Sequence, residues 1–283
     1  MGKASQVARK RRAEKPFLRR FWKQAVDENH ATDVAAQLAF YFMLSIFPFL
    51  IFAVTLLGYT NITVADVLGL LRRYLPGDSL SPIQNTLQEV LENRKGGLLS
   101  FGILGTIWTA SAALSAVINA LNRAYGTRED RSFLKSRALA IMLTLMMVLA
   151  ILTSLLLPVL GEVIRRLISL FIEIPAAYYL IWDLMRWSLS TLVMVAAFIC
   201  IYYLAPTVTL RIRDVIPGAL FAVAGWQLAS LGFSNYLNNF ANYSATYGSL
   251  GAIIALMVWF YLTGLILILG GELNAALKAG GTR

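Results

Sequence analysis

The stretch Val34–Gly58, VAAQLAFYFMLSIFPFLIFAVTLLG, runs 25 residues without a charged side chain. At roughly 1.5 Å per residue, a helix of this length exceeds the roughly 30 Å of bilayer hydrocarbon and can span it with some tilt. It reads as a first transmembrane helix. Its centre carries Ser45-Ile-Phe-Pro48. Pro48 lacks an amide hydrogen and crowds the carbonyl of Leu44, so a kink is expected there, with backbone acceptors freed at membrane depth.

The rest of the chain repeats this pattern. Of 283 residues, 58% are hydrophobic and only 14% charged, too few charges to cover a soluble domain holding several unbroken apolar runs. Five further runs, 98–121, 138–160, 184–205, 215–233 and 249–271, complete an all-α fold: a polytopic bundle of six spans. The expected organisation is a basic N-terminal segment (1–33), a transmembrane domain (34–277) and a short tail (278–283). The polybasic head precedes an apolar run too long for a signal peptide, with no small-residue cleavage pattern after it, and reads as an uncleaved anchor. Cys200 is the only cysteine and lies in an apolar span, which excludes a disulfide framework and a thiolate metal site.

Placing the N-terminus in the cytoplasm puts eighteen of the 25 Lys/Arg on the inner side and six on the outer, with Arg186 inside the margin of the fourth span. This positive-inside bias predicts that both termini are cytoplasmic. The net charge of +10 then reflects topology and contact with anionic lipid. Without an aromatic platform or recognition helix beside the basic head, no nucleic-acid partner is expected.

Outside the spans, Pro16–Val26 puts Phe17, Leu18, Phe21, Trp22, Ala25 and Val26 on one face and Arg19, Arg20 and Lys23 on the other. That suits a helix lying in the membrane interface or packed on the bundle. Residues 59–97 carry signals for two amphipathic helices, one from Thr63 and one from the capping box Ser81-Pro82-Ile83-Gln84, joined at Pro76-Gly77. They offer a lid, a structural cap or a docking surface. The segment VIRRLISLFI (163–172) is expected along the outer interface, and Asp183 and Arg186, three apart, are expected to pair.

Polar residues inside the spans supply the candidate site. Ser111, Ser115, Asn119 and Asn122 form one stripe on the second span, able either to hydrogen-bond a neighbouring helix or to line a wet cavity. Ser45, Pro48, Gln227, Asn235 and Asn238 extend the candidate pathway. The last two belong to an uncharged outer end that suits a polar headgroup or a capped helix terminus. Gly218, Ala222, Gly225, Ala229 and Gly232 form a small-residue seam that predicts close helix approach. Glu272 ends the last span on the side of Arg131 and Arg137, so an ion pair is the default reading and a proton-coupling carboxylate the bolder one.

No Walker loop, nucleophile elbow, His-Glu-x-x-His or dinucleotide fingerprint occurs, and His30 is the only histidine. The cytoplasmic carboxylates are scattered, without the clustering that a two-metal nuclease requires. No catalytic residue, metal site or cofactor is expected.

Six motifs in order, Ala39–Pro48, Asn119–Gly126 with Arg131 and Arg137, Tyr203-Leu-Ala-Pro206, Pro217-Gly218-Ala219, Tyr247–Gly251 and Gly271-Glu272-Leu273-Asn274, resemble the YihY/virulence factor BrkB family over most of residues 30–277. The resemblance implies a six-helix inner-membrane protein of the cell envelope. Some members carried the label ribonuclease BN, which the single histidine and scattered carboxylates do not support. The functional expectation is a transporter or translocation component for a lipid or amphiphilic envelope molecule, with membrane lipids as partners. The alternatives are a scaffold for envelope-assembly proteins acting through residues 59–97 and, last, the nuclease. The sequence leaves the oligomeric state open.

Overall fold

The computed structural model describes residues 21, 23–28, 30–57, 96–169, 176–239 and 249–281. Among these the chain is entirely helical apart from connecting turns: a π-helical turn, Lys23–Glu28, then α1 (Ala31–Leu57), α2 (Gly96–Ala124), α3 (Phe133–Ser169), α4 (Ala176–Leu204), α5 (Ile212–Asn239) and α6 (Ser249–Gly281). All six are long and apolar enough to cross a membrane. The helices expected within 59–97 lie outside the described residues. Most of the helix expected over 16–26 lies outside the described residues; among those described, Phe21 and Ala25 are buried and Lys23 is exposed.

Helix ends depart from the apolar windows wherever polar residues continue the helix. His30, with φ 53°, starts α1 by accepting the amides of Asp33 and Val34 on its carbonyl. Beyond Leu160, α3 continues to Ser169, so 161–169 is not a separate segment but part of a 37-residue helix of about 55 Å. Helix α6 runs ten residues past Gly271, carrying Glu272 and Asn274 inside it.

The chain divides into two compact units, residues 41–112 and residues 1–40 with 113–283. Within the first, α1 continues through Pro48, and Ser45 Oγ donates to the Phe42 carbonyl at 2.7 Å. Two glycines of α2 let the helices meet closely: a Cβ on Gly105 would lie 3.0 Å from Pro48 Cβ, and one on Gly102 would strike the Phe52 backbone at 2.7 Å.

Within the second unit, α5 packs along α6, and α4 packs against both α3 and α5. The small-residue seam makes this contact possible. A Cβ on Gly218 would collide with the Gly270 carbonyl and the Asn274 side chain, and one on Gly225 would press Ile266 Cγ2 at 3.2 Å. At Gly232 the seam has opened, with nothing within 4 Å. Asp183 and Arg186 pair as expected, at 2.8 Å.

Candidate functional site

Polar groups gather at the end of the second unit where α2, α4 and α6 finish and α5 begins. Gly126, with φ 70°, ends α2 in a left-handed turn, a conformation glycine enters without a Cβ penalty. Its amide donates to the Arg123 carbonyl at 2.9 Å, and Thr127 N donates to the Asn122 carbonyl at 2.9 Å. These are the two bonds of a Schellman cap. The turn folds the following loop back over Asn122, whose side chain is 1% exposed. Asn122 Nδ2 donates to Glu129 Oε2 at 2.9 Å, and its Oδ1 accepts the Thr207 amide at 2.8 Å and the Thr207 hydroxyl at 3.2 Å.

Arg131 completes this clasp. Its guanidinium donates to the carbonyls of Ala205 and Pro206, both at 2.9 Å, and of Leu204 at 3.3 Å, and lies 3.5 Å from Glu129. A helix leaves its last carbonyls unpaired and negative, so a fixed cation there satisfies acceptors and favours the dipole together. Glu129 Oε1 also accepts the Arg131 amide at 3.0 Å. The next helix starts with its own cap: Asp214 Oδ2 takes the Arg211 amide at 3.0 Å, and Asp214 N donates to the Arg211 carbonyl at 2.9 Å.

Deeper in, Asn274 is fully buried and bridges α6 to α5. Its Oδ1 accepts the Gly218 amide at 2.7 Å and its Nδ2 donates to the Val215 carbonyl at 3.1 Å. Tyr202 Oη donates to the Leu267 carbonyl at 2.7 Å, tying α4 to α6. Glu272, on the same helix as Leu267 and Asn274, is 2% exposed. Beside it, the Tyr125 hydroxyl is buried with no hydrogen-bond partner. Burial, then the negative charges of Asp214 and Glu272, push its ionisation well above the ordinary tyrosine range. Lys278 Nζ sits 5.9 Å over the Tyr125 ring and donates to the Thr209 carbonyl at 2.9 Å.

The residues singled out from sequence are distributed as follows. Asn122, Arg131 and Glu272 fall in this region, and Arg137 is half-buried near the start of α3. The stripe on α2 divides: Ser111 is buried and donates to the Trp108 carbonyl, Ser115 is half-buried, and Asn119 is exposed. Gln227 donates from Nε2 to Thr191 Oγ1 at 3.1 Å, Asn235 is exposed, and Asn238 lies on the last turn of α5 with its side chain outside the described residues. Thr207 and Tyr202 are not singled out by the sequence, and Asn274 enters only as the last residue of the motif Gly271-Glu272-Leu273-Asn274. Tyr202 reads as one more aromatic residue, and the partners of Thr207 and Asn274 are 56 to 85 residues away in sequence.

This arrangement has the character of an interhelical clasp, with a buried carboxylate, Glu272, on α6. Among the described residues no group of three or more His, Cys, Asp or Glu converges on a point that could hold a metal ion. Six membrane-length helices and a polar clasp at one end define a polytopic α-helical membrane protein. The chain belongs to the virulence factor BrkB family, whose model matches residues 22–282. It is 48% identical over 243 residues to a ribonuclease-like protein, YfkH, of Bacillus subtilis (strain 168), covering 86% of this chain and 88% of that protein. It is 27% identical over 264 residues to a UPF0761 membrane protein of Aliivibrio salmonicida (91% and 82%) and 28% identical over 278 residues to one of Cronobacter sakazakii (96% and 91%). No solved structure matches the chain.

Proposed function

We propose that this chain is a non-ATP-driven transporter or translocation component for a lipid or other amphiphilic molecule of the cell envelope. It acts without enzymatic chemistry, in the bacterial inner membrane, with both termini and the clasp on the cytoplasmic side. The observation that carries the reading is Glu272: a carboxylate 2% exposed within a helix of membrane-crossing length, whose negative charge, like that of Asp214, acts on Tyr125. An ionisable group enclosed at that depth is costly, and such groups mark pathways and proton relays in membrane proteins. The basic residues crowding the clasp side support the orientation. The name of YfkH raises a nuclease reading; the single histidine and the scattered carboxylates of the sequence favour transport over it.

The test is leaflet exchange. Purified protein in phospholipid vesicles carrying a fluorescent headgroup-labelled lipid should speed loss of inner-leaflet label to an external quencher. Glu272→Gln should slow it at least tenfold while the protein stays folded by circular dichroism. Exchange no faster than in protein-free vesicles, with labels of both neutral and anionic lipids, removes the proposal.

A further inference from the structure

Charges at the clasp end are sorted by direction. Two segments meet there, 122–137 and 204–214, tied by the Arg131 guanidinium to the carbonyls of 204–206 and by the Thr207 hydroxyl to the Arg128 carbonyl at 3.3 Å. Two of their three carboxylates are turned to internal work: Glu129 takes the Asn122 side-chain amide and pairs with Arg131, and Asp214 accepts the Arg211 amide. The cations turn outward. Arg123, Arg128, Lys135, Arg211 and Arg213 are all exposed, against one exposed carboxylate in the same segments, Asp130. A stretch of mixed signs in sequence thus presents a positive surface, because most of its acidic groups are taken up by internal hydrogen bonds.

Apolar side chains stand among these cations at the level where the spans begin. The membrane-length part of α3 starts at Phe133 and that of α5 at Ile212, while that of α2 ends at Ala124. Phe133 is 80% exposed, Leu134 77% and Ile212 57%. Lys135 follows Phe133 and Leu134 directly, and Ile212 lies between Arg211 and Arg213. At the edge of a span, basic side chains lay their stems along acyl chains and keep their charged heads among the headgroups.

We infer that this rim is a binding surface for anionic phospholipid, with Lys135, Arg211 and Arg213 on the headgroup phosphates and Phe133, Leu134 and Ile212 in the acyl boundary alongside. Charge and level select that occupant together. Anionic headgroups are drawn to basic residues at the membrane edge, whereas a zwitterionic headgroup brings its own cation. A nucleic acid would answer the cations and leave three large apolar side chains in water. The inference stands apart from the transport reading, since it requires lipid to be held and not to be moved.

Native mass spectrometry of the full chain in neutral detergent tests it, with phosphatidylglycerol as the probe and phosphatidylcholine as the comparator. Wild type should retain its first phosphatidylglycerol at concentrations roughly tenfold or more below those needed by Lys135→Gln/Arg211→Gln/Arg213→Gln, and should retain phosphatidylcholine no better than that variant does. Lys135→Arg/Arg211→Lys/Arg213→Lys keeps the charges and should keep retention, which separates loss of the surface from loss of the fold. Phe133→Ser/Leu134→Ser keeps every cation and should still weaken retention. Equal retention of phosphatidylglycerol by wild type and the triple glutamine variant, equal retention of the two lipids by wild type, or displacement of the lipid by a single-stranded RNA oligonucleotide overturns the inference. Leaflet exchange enters none of these outcomes, so its failure removes the transport reading and leaves the lipid surface standing.

Discussion

Replacing Asn122 by Leu removes the hub of the clasp without changing side-chain size much. The bonds lost include one to the Glu129 carboxylate at 2.9 Å and those from the Thr207 amide at 2.8 Å and the Thr207 hydroxyl at 3.2 Å. A hydrogen bond to a charged group contributes about 1.5–3 kcal/mol and a neutral one about 1 kcal/mol, and both partners are left without Asn122 in a partly buried setting. A loss of about 3 kcal/mol is expected, roughly a hundredfold in the unfolding equilibrium. Asn119→Leu, three residues earlier on an exposed position, should stay within about 0.5 kcal/mol. Reversible unfolding in mixed micelles measures both, and a double-mutant cycle with Glu129→Gln isolates the shared bond. The reasoning is refuted if Asn119→Leu costs as much as Asn122→Leu, or if the Asn122–Glu129 coupling is zero.

Further expectations rest on separate contacts. Gly218→Ala should destabilise by about 1–3 kcal/mol, because its Cβ meets the Gly270 carbonyl and Asn274, whereas Gly232→Ala, in open space, should be neutral or stabilise by about 0.5 kcal/mol; thermal unfolding of the two side by side decides. Arg131→Lys keeps the charge but not the planar fork that reaches three carbonyls, so a cost of about 2 kcal/mol and faster amide exchange at the end of α4 are expected. Tyr125→Phe deletes a buried hydroxyl with no acceptor and should stabilise by about 1 kcal/mol at neutral pH. Because the folded chain holds the Tyr125 proton more tightly than the unfolded one, wild-type stability should fall as pH rises above about 10, and Tyr125→Phe should reduce that fall in alkaline titrations followed by circular dichroism.

The spans were legible because an apolar run of about 20 residues has few other fates, and the small-residue seam because close helix approach demands missing side chains. The helix ends were not. Hydropathy stops at Leu121 and Gly271, but α2 continues to Ala124 under a Schellman cap and α6 to Gly281, since tertiary contacts bury Asn122, Glu272 and Asn274. The stripe on α2 shows the same limit: spacing puts Asn119 and Asn122 on one stripe, while only packing decides that one is exposed and the other enclosed. The sequence offered Arg131 to Glu272 as one of several cations on the same side. That it reaches carbonyls 73 to 75 residues away depends on where α4 ends beside the loop, which no local pattern encodes.

Every sidedness statement, and with it the cytoplasmic placement of the clasp, depends on six crossings. In a Cys200→Ser background, single cysteines placed at position 3 and at position 240 can be labelled in intact cells by a membrane-impermeant maleimide. Position 240 should react from outside and position 3 only after lysis. Reaction of both positions from the same side would contradict the six-span map.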